Sequence, residues 1–93
     1  MLSTLENLFK LARERKETPI DGSYTNRLLS DKSLSKSKVL EEIKELIEAV
    51  DKDTNKIHEA ADVFYHLIIY LEAHNIKIED VEEELEKRKK SNE

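Results

Sequence analysis

The sequence predicts an all-α fold, and three observations carry the prediction. Glycine and proline occur once each in 93 residues, too sparsely for a chain of strands and tight turns. Charged residues make up 40% of the chain, mostly Glu and Lys, which favour helices. Apolar residues recur at three- and four-residue spacing, and no stretch alternates as a half-buried strand does. The expected architecture is a small bundle of about four helices in a single domain over residues 1–93. A domain of this length buries only about 60–65% of its unfolded surface. Its third main helix is also too apolar for a lone small domain, so a homodimer is expected to complete the bundle.

The first helix is expected over residues 4–16, with Leu5, Leu8, Phe9 and Ala12 in one stripe; Ser3 followed by Glu6 suits a capping box. Thr18, Pro19, Ile20, Asp21, Gly22 and Ser23 form the one strong breaker cluster. A short helical piece over 24–29 follows, then a Ser/Lys-rich connection over 30–36. The second main helix is expected over 37–50 and ends in a polar turn over 51–55, where Thr54 or Asn55 suits the next cap. The third spans 56–74 and breaks at 75–77. The last runs over 78–90 with Val81 and Leu85 on an otherwise charged surface, and the tail 89–93 is expected to fray.

Several function classes are excluded at this level. Without cysteine there is no disulfide, thiolate zinc site or cysteine nucleophile. A net charge of −5 with scattered cations argues against a nucleic-acid partner. The most apolar stretch, residues 60–71, contains Asp62 and His66 and is too short to span a bilayer, so no membrane partner is expected. The amphipathic start lacks the pattern of a secretory signal, and a cytoplasmic location is the expectation. Neither a glycine-rich phosphate loop nor a Ser/His/Asp arrangement is present.

On a helical wheel Val39, Leu40, Ile43, Leu46, Ile47 and Val50 make one apolar face of the second main helix, with Glu41 and Glu48 nearly opposite. Glu42 lies at the edge of that face and Glu45 about 60° further round, with small Ala49 between their directions. The third helix is apolar over most of its circumference, so it is expected to be central and buried on several sides. Against that background Glu59, Asp62 and His66 form one polar stripe. Buried carboxylates are costly unless they are paired or coordinate a cation. Acidic pairs at this spacing often mark a solvated face, and Lys38 could pair with Glu42. If the two helices pack antiparallel, however, Glu42 and Glu45 face Glu59 and Asp62. Four carboxylates make a hard-cation site suited to Mg²⁺ or Mn²⁺ rather than zinc.

Four segments resemble a known family. Thr18-Pro19-Ile20-Asp21-Gly22-Ser23-Tyr24-Thr25 with Leu28-Leu29 is similar to the Pro-x-x-Gly-Ser-Tyr-Thr…Leu-Leu opening of phosphoribosyl-ATP pyrophosphohydrolases. Lys38 to Glu45 resembles their Lys-Val-Gly-Glu-Glu-x-x-Glu helix, and Glu59 to Leu67 their Glu-x-x-Asp helix ending in Tyr-His-Leu. Ile78-Glu79-Asp80-Val81 with Leu85 and Arg88 matches their last helix. The acidic core alone would indicate only the wider all-α NTP pyrophosphatase (MazG-like) superfamily. The resemblance implies hydrolysis of phosphoribosyl-ATP to phosphoribosyl-AMP and pyrophosphate, the second step of histidine biosynthesis, with Mg²⁺ and a homodimer. It assigns Glu42, Glu45, Glu59 and Asp62 to the metal and Glu41 to a second-metal or water contact. The chain departs from the pattern at Leu40, where the family has Gly.

Ser23, Tyr24 and Thr25 become candidates for hydrogen bonds to substrate, although turn residues beside Pro and Gly are often structural. Arg27 and Lys38 are candidate phosphate contacts, and His66 a residue that orients a carboxylate. His58 and His74 are assigned no role, Tyr65 and Tyr70 are expected in the core or a dimer contact, and no aromatic set for adenine is evident. Two alternatives stand beside this: a housekeeping NTP pyrophosphatase of the superfamily the acidic core resembles, against which Ser23-Tyr24-Thr25 speaks, and a non-enzymatic helical dimer or adaptor.

Overall fold

The computed structural model describes residues 3–92. They form five helices: α1 (Ser3–Glu17), α2 (Tyr24–Ser30), α3 (Lys32–Lys52), α4 (Lys56–Ala73) and α5 (Ile78–Asn92). No strand occurs among the described residues, and no described helix is long and apolar enough to cross a membrane.

α1 already includes Ser3, where a capping serine was expected; the position before it lies outside the described residues. The turn after α1 needs its glycine, because Gly22 sits at φ 80°, a region costly for other residues. Ser23 then caps α2, its Oγ accepting from the Asn26 amide at 3.2 Å. Asn26 fastens the loop from inside: its Oδ1 accepts from the Ile20 amide at 2.9 Å, and its Nδ2 donates to the Arg15 carbonyl at 2.7 Å.

The 30–36 connection is not a loop. α3 begins at Lys32, and Asp31 caps it by accepting from the Leu34 amide at 3.0 Å. The aspartate cap outweighs the weak helix propensity of Ser33 and Ser35 in the first turn that follows it. α3 stops where Asp53 turns left-handed (φ 55°) and its amide reaches the Ala49 and Val50 carbonyls. Asn55 does hold the N-cap position of α4, but it is left-handed (φ 38°) and its side chain makes no cap bond. α5 remains helical through Asn92, across most of the segment expected to fray; Glu93 lies outside the described residues.

The short turn folds α4 back along α3, and this hairpin is the main packing unit. α4 also touches α1 and α2, so it is central as expected. The core is small: Ala12, Leu28 and Ile69 are fully buried, with Leu29, Leu34 and Tyr65 packed around them. α4 is nevertheless not covered all round. Ile57 is 88% and Phe64 52% exposed, and Leu40, Ile43, Ile47 and Val50 of α3 are exposed too. The single chain accordingly shows 7041 Å² to solvent, against about 5,600 Å² for a compact monomer of its mass. Its radius of gyration is 14.7 Å, against about 12 Å for a compact chain of this length.

Candidate metal centre

The α3–α4 hairpin sets two acidic groups side by side. Potential ligand atoms of Glu41, Glu42 and Glu45 lie within 4.8 Å of one another, and so do those of His58, Glu59 and Asp62. The spacing of each group follows from one helical turn, and the hairpin makes the two groups neighbours. Glu45 is the link. Burial pushes the Glu42 carboxyl up, and the adjacent Glu45 carboxyl pushes it further, with Asp62 acting in the same sense. Burial likewise raises Glu59, and Glu45 is the next cause.

Glu42 is buried, and its Oε2 has no hydrogen-bond partner; Oε2 of Glu59 is equally orphaned. A buried carboxylate oxygen without a donor is rare in a folded protein and costly. Among the described residues two occur, one on each helix, with further carboxylates beside them and no lysine or arginine paired to any of Glu42, Glu45, Glu59 or Asp62. All-oxygen donors of this charge fit a hard divalent cation. The residues present therefore suit such a cation.

The remaining candidates fall in several places. Glu41 is at the solvent edge, its carboxylate 3.5 Å from Lys38 Nζ, and this pairing is the main cause that holds the Lys38 ammonium on more firmly. Lys38 is thus paired to Glu41, not to Glu42. Leu40 is 61% exposed on the open apolar face, so the side chain standing where the family has Gly is directed largely to solvent. His66 does not orient a carboxylate side chain. Its Nδ1 is 2.8 Å from the Asp62 backbone carbonyl and its Nε2 is 3.1 Å from the Tyr24 hydroxyl. Thr25 is buried and shares a 2.5 Å hydrogen bond with the Tyr65 hydroxyl, which spends it inside the fold. Ser23 combines its cap with acceptance of a 2.9 Å bond from Arg15 Nη1. Ser23, Tyr24 and Arg27 line a cleft of about 780 Å³ between the end of α1 and the following loop; neither Thr25 nor Lys38 does.

Sequence reading missed His58, whose Nε2 lies 3.4 Å from the Asp62 carboxylate. The signal was present, since residues four apart share a helix face. It also missed Arg15, which reaches the cleft only because the loop brings α1 and α2 together. Tyr65 lies against the core as expected, while Tyr70 packs its ring on His74 at 4.5 Å.

Comparison with known proteins bears directly on this constellation. The family model described as phosphoribosyl-ATP pyrophosphohydrolase matches residues 2–89. The chain belongs to that family. A phosphoribosyl-ATP pyrophosphatase of Clostridium acetobutylicum is 47% identical over 89 residues, covering 90% of this chain and 79% of that protein. One from Bacillus cytotoxicus is 39% identical over 93 residues, covering 95% and 85%. The chain also matches part of a longer protein, the histidine biosynthesis bifunctional protein HisIE of Pyrococcus furiosus, at 38% identity over 90 residues, which cover 96% of this chain and 43% of that one. As a phosphoribosyl-ATP pyrophosphohydrolase, the chain carries its acids in the α3–α4 hairpin and its Ser23-Tyr24-Thr25 segment at the start of α2.

Proposed function

We propose that Glu42, Glu45, Glu59 and Asp62 hold the divalent cation with which this phosphoribosyl-ATP pyrophosphohydrolase works, and that water cleaves the substrate there to phosphoribosyl-AMP and pyrophosphate, the second step of histidine biosynthesis. The carrying observation is the pair of buried, unpartnered oxygens, Glu42 Oε2 and Glu59 Oε2, flanking a third carboxylate that acts on both. Bound there, Mg²⁺ (or Mn²⁺) supplies the positive charge that receives a polyphosphate and stabilises the departing pyrophosphate. The protein's own contribution is position. One helical turn separates the acids within each pair, and the hairpin fixes the pairs against each other. Glu41 borders the same group from its solvent side and is assigned the contact with a second cation or with the attacking water.

The uncovered apolar face supports a homodimer. Leu40, Ile43, Ile47 and Val50 on α3 and Ile57 and Phe64 on α4 are too many large apolar side chains for a monomer surface. A second copy would bury them and supply the layers that the small core lacks.

The test is pyrophosphate release from phosphoribosyl-ATP with and without Mg²⁺. Release should require the cation and be lost in Glu59→Gln and in Asp62→Asn, with helical content retained. Full activity in both variants would sink the site assignment.

A further inference from the structure

We propose that the cleft between the end of α1 and the start of α2 binds a phosphate monoester carried on a ribose, gripped by Arg15 and Arg27. The proposal rests on the function above and adds the site for the substrate's other end.

The chain has four arginines and a net charge of −5, so carboxylate partners are plentiful. Arg13 pairs with Glu72 and Glu79, and Arg88 pairs with Glu84. Arg15 and Arg27 are the two without a carboxylate partner among the described residues, and both line the one cleft of about 780 Å³. That volume is in the range of small-ligand sites. The third cation of the lining, Lys16, is already committed: its Nζ donates to the Glu72 carbonyl at 2.7 Å and to Asn75 Oδ1 at 2.8 Å. The free charge facing the cleft is therefore guanidinium, whose planar fork matches phosphate oxygens in pairs.

The walls are fixed before any ligand arrives. Asn26 ties the Ile20 amide to the Arg15 carbonyl, and Arg15 Nη1 donates to Ser23 Oγ at 2.9 Å, which leaves the other nitrogens of its guanidinium for a ligand. Such preorganisation lowers the cost of binding. Asp21 also lines the cleft, and a carboxylate is a fitting acceptor for ribose hydroxyls.

The placement matches the substrate's chemistry. Phosphoribosyl-ATP carries a triphosphate and, separately, a ribose 5-phosphate. Four carboxylates can receive a polyphosphate only through a cation, whereas two arginines can take a phosphomonoester directly. Tyr24 joins the two regions: it lines the cleft, and its hydroxyl reaches His66, which in turn holds the Asp62 carbonyl. ATP lacks the separate ribose 5-phosphate, so this cleft would favour the phosphoribosylated nucleotide over ATP.

The experiment titrates ribose 5-phosphate by calorimetry into wild type, Arg15→Gln, Arg27→Gln and Glu59→Gln, with inorganic phosphate and ribose as control ligands. It also measures KM and kcat for phosphoribosyl-ATP in the two arginine variants. The Arg27 side chain makes no hydrogen bond or ion pair among the described residues, so its variant tests the cleft even if loss of the Arg15–Ser23 bond loosens the loop. Each arginine variant should weaken ribose 5-phosphate binding roughly 10- to 100-fold, the loss of a charge-assisted phosphate contact, with KM rising more than kcat falls. Glu59→Gln should bind ribose 5-phosphate as wild type does. Unchanged binding in both arginine variants would overturn the proposal, as would wild-type binding no tighter than inorganic phosphate or a loss seen only in Glu59→Gln. Persistent pyrophosphate release in Glu59→Gln would instead count against the metal assignment alone.

Discussion

The Tyr24 hydroxyl stands 3.1 Å from Nε2 of His66, and this bond ties the start of α2 to the helix that bears Glu59 and Asp62. A carbonyl can only accept, so the 2.8 Å contact with the Asp62 carbonyl places a proton on His66 Nδ1. In that tautomer Nε2 is the acceptor and the Tyr24 hydroxyl the donor. Tyr24→Phe removes that donor and should cost about 1 kcal/mol, or about 4–8 °C in melting temperature for a domain of this size. The fold should persist, because Thr25 and Tyr65 hold α2 to α4 independently. Thermal unfolding followed by circular dichroism reads the shift, and an unchanged melting temperature would mean the bond contributes nothing.

The acidic centre should trade stability for function. Burial and Glu45 raise the Glu42 carboxyl, so its charged form is disfavoured in the folded chain. Such a group contributes stability below its ordinary value, here 4.5, and loses it as pH rises through the raised value. At neutral pH without metal, Glu42→Gln should therefore melt a few degrees above wild type. Added Mg²⁺ should raise the wild-type melting temperature through preferential binding to the folded state, have much less effect on the variant, and restore no pyrophosphate release to it. Calorimetric scans in chelator and in Mg²⁺ decide the matter. A variant less stable than wild type in chelator would show that the Glu42 carboxylate is satisfied without a cation.

Much of this centre was legible because helix geometry is rigid. Glu42 with Glu45 and Glu59 with Asp62 needed only the wheel and the short 51–55 turn to be brought together. His58 was assigned no role although it shares a face with Asp62, because it sits at the flank of the Glu59, Asp62 and His66 stripe rather than on it. The start of α3 differs from the expected one because Ser30, Ser33 and Ser35 resemble a linker, while the Asp31 cap that decides the matter is a single residue. Arg15 and the role of Thr25 could not be read at all. Each depends on how the 18–23 loop closes α1 on α2, and periodicity carries no information about such tertiary approach. The exposure of Ile57 and Phe64 was hidden for a related reason, because an all-round apolar helix does not say which of its faces its own chain covers.

The open face of α3 and α4 makes oligomeric state a quantitative prediction. Ile47 is 57% and Phe64 52% exposed, so replacing either with Asp disturbs little within one chain. In a dimer the same change buries a charge without a partner. Light scattering should give twice the chain mass for wild type and a shift toward one chain for Ile47→Asp and Phe64→Asp, with the melting temperature lowered by roughly 5 °C or more. A wild type that runs as one chain at micromolar concentration would refute the dimer.

Glu72 presents a buried carboxylate that is paired within the fold. It is 4% exposed on α4, and Arg13 Nε at 3.1 Å and Lys16 Nζ at 3.6 Å meet it from α1. The Nη groups of Arg13 pass on to Glu79 of α5, and Arg13 brings the Glu79 carboxyl down to about 2. A lowered carboxyl contributes stability above its ordinary value of 4.5 and loses it as pH falls toward about 2. Glu79 is largely exposed, so the loss is local: amide protection in α5 should fall across that pH window before protection in α4 does, and Glu79→Gln should remove the dependence. Arg13→Gln reaches further, because it leaves Glu72 buried with Lys16 alone. It should cost about 2–3 kcal/mol in urea unfolding, less than a wholly orphaned buried charge. Adding Glu72→Gln should recover at least about 1 kcal/mol, since a neutral amide needs no counter-charge. Simple additivity of the two substitutions would show that Arg13 holds α1 to α4 by packing of its stem rather than by its charge.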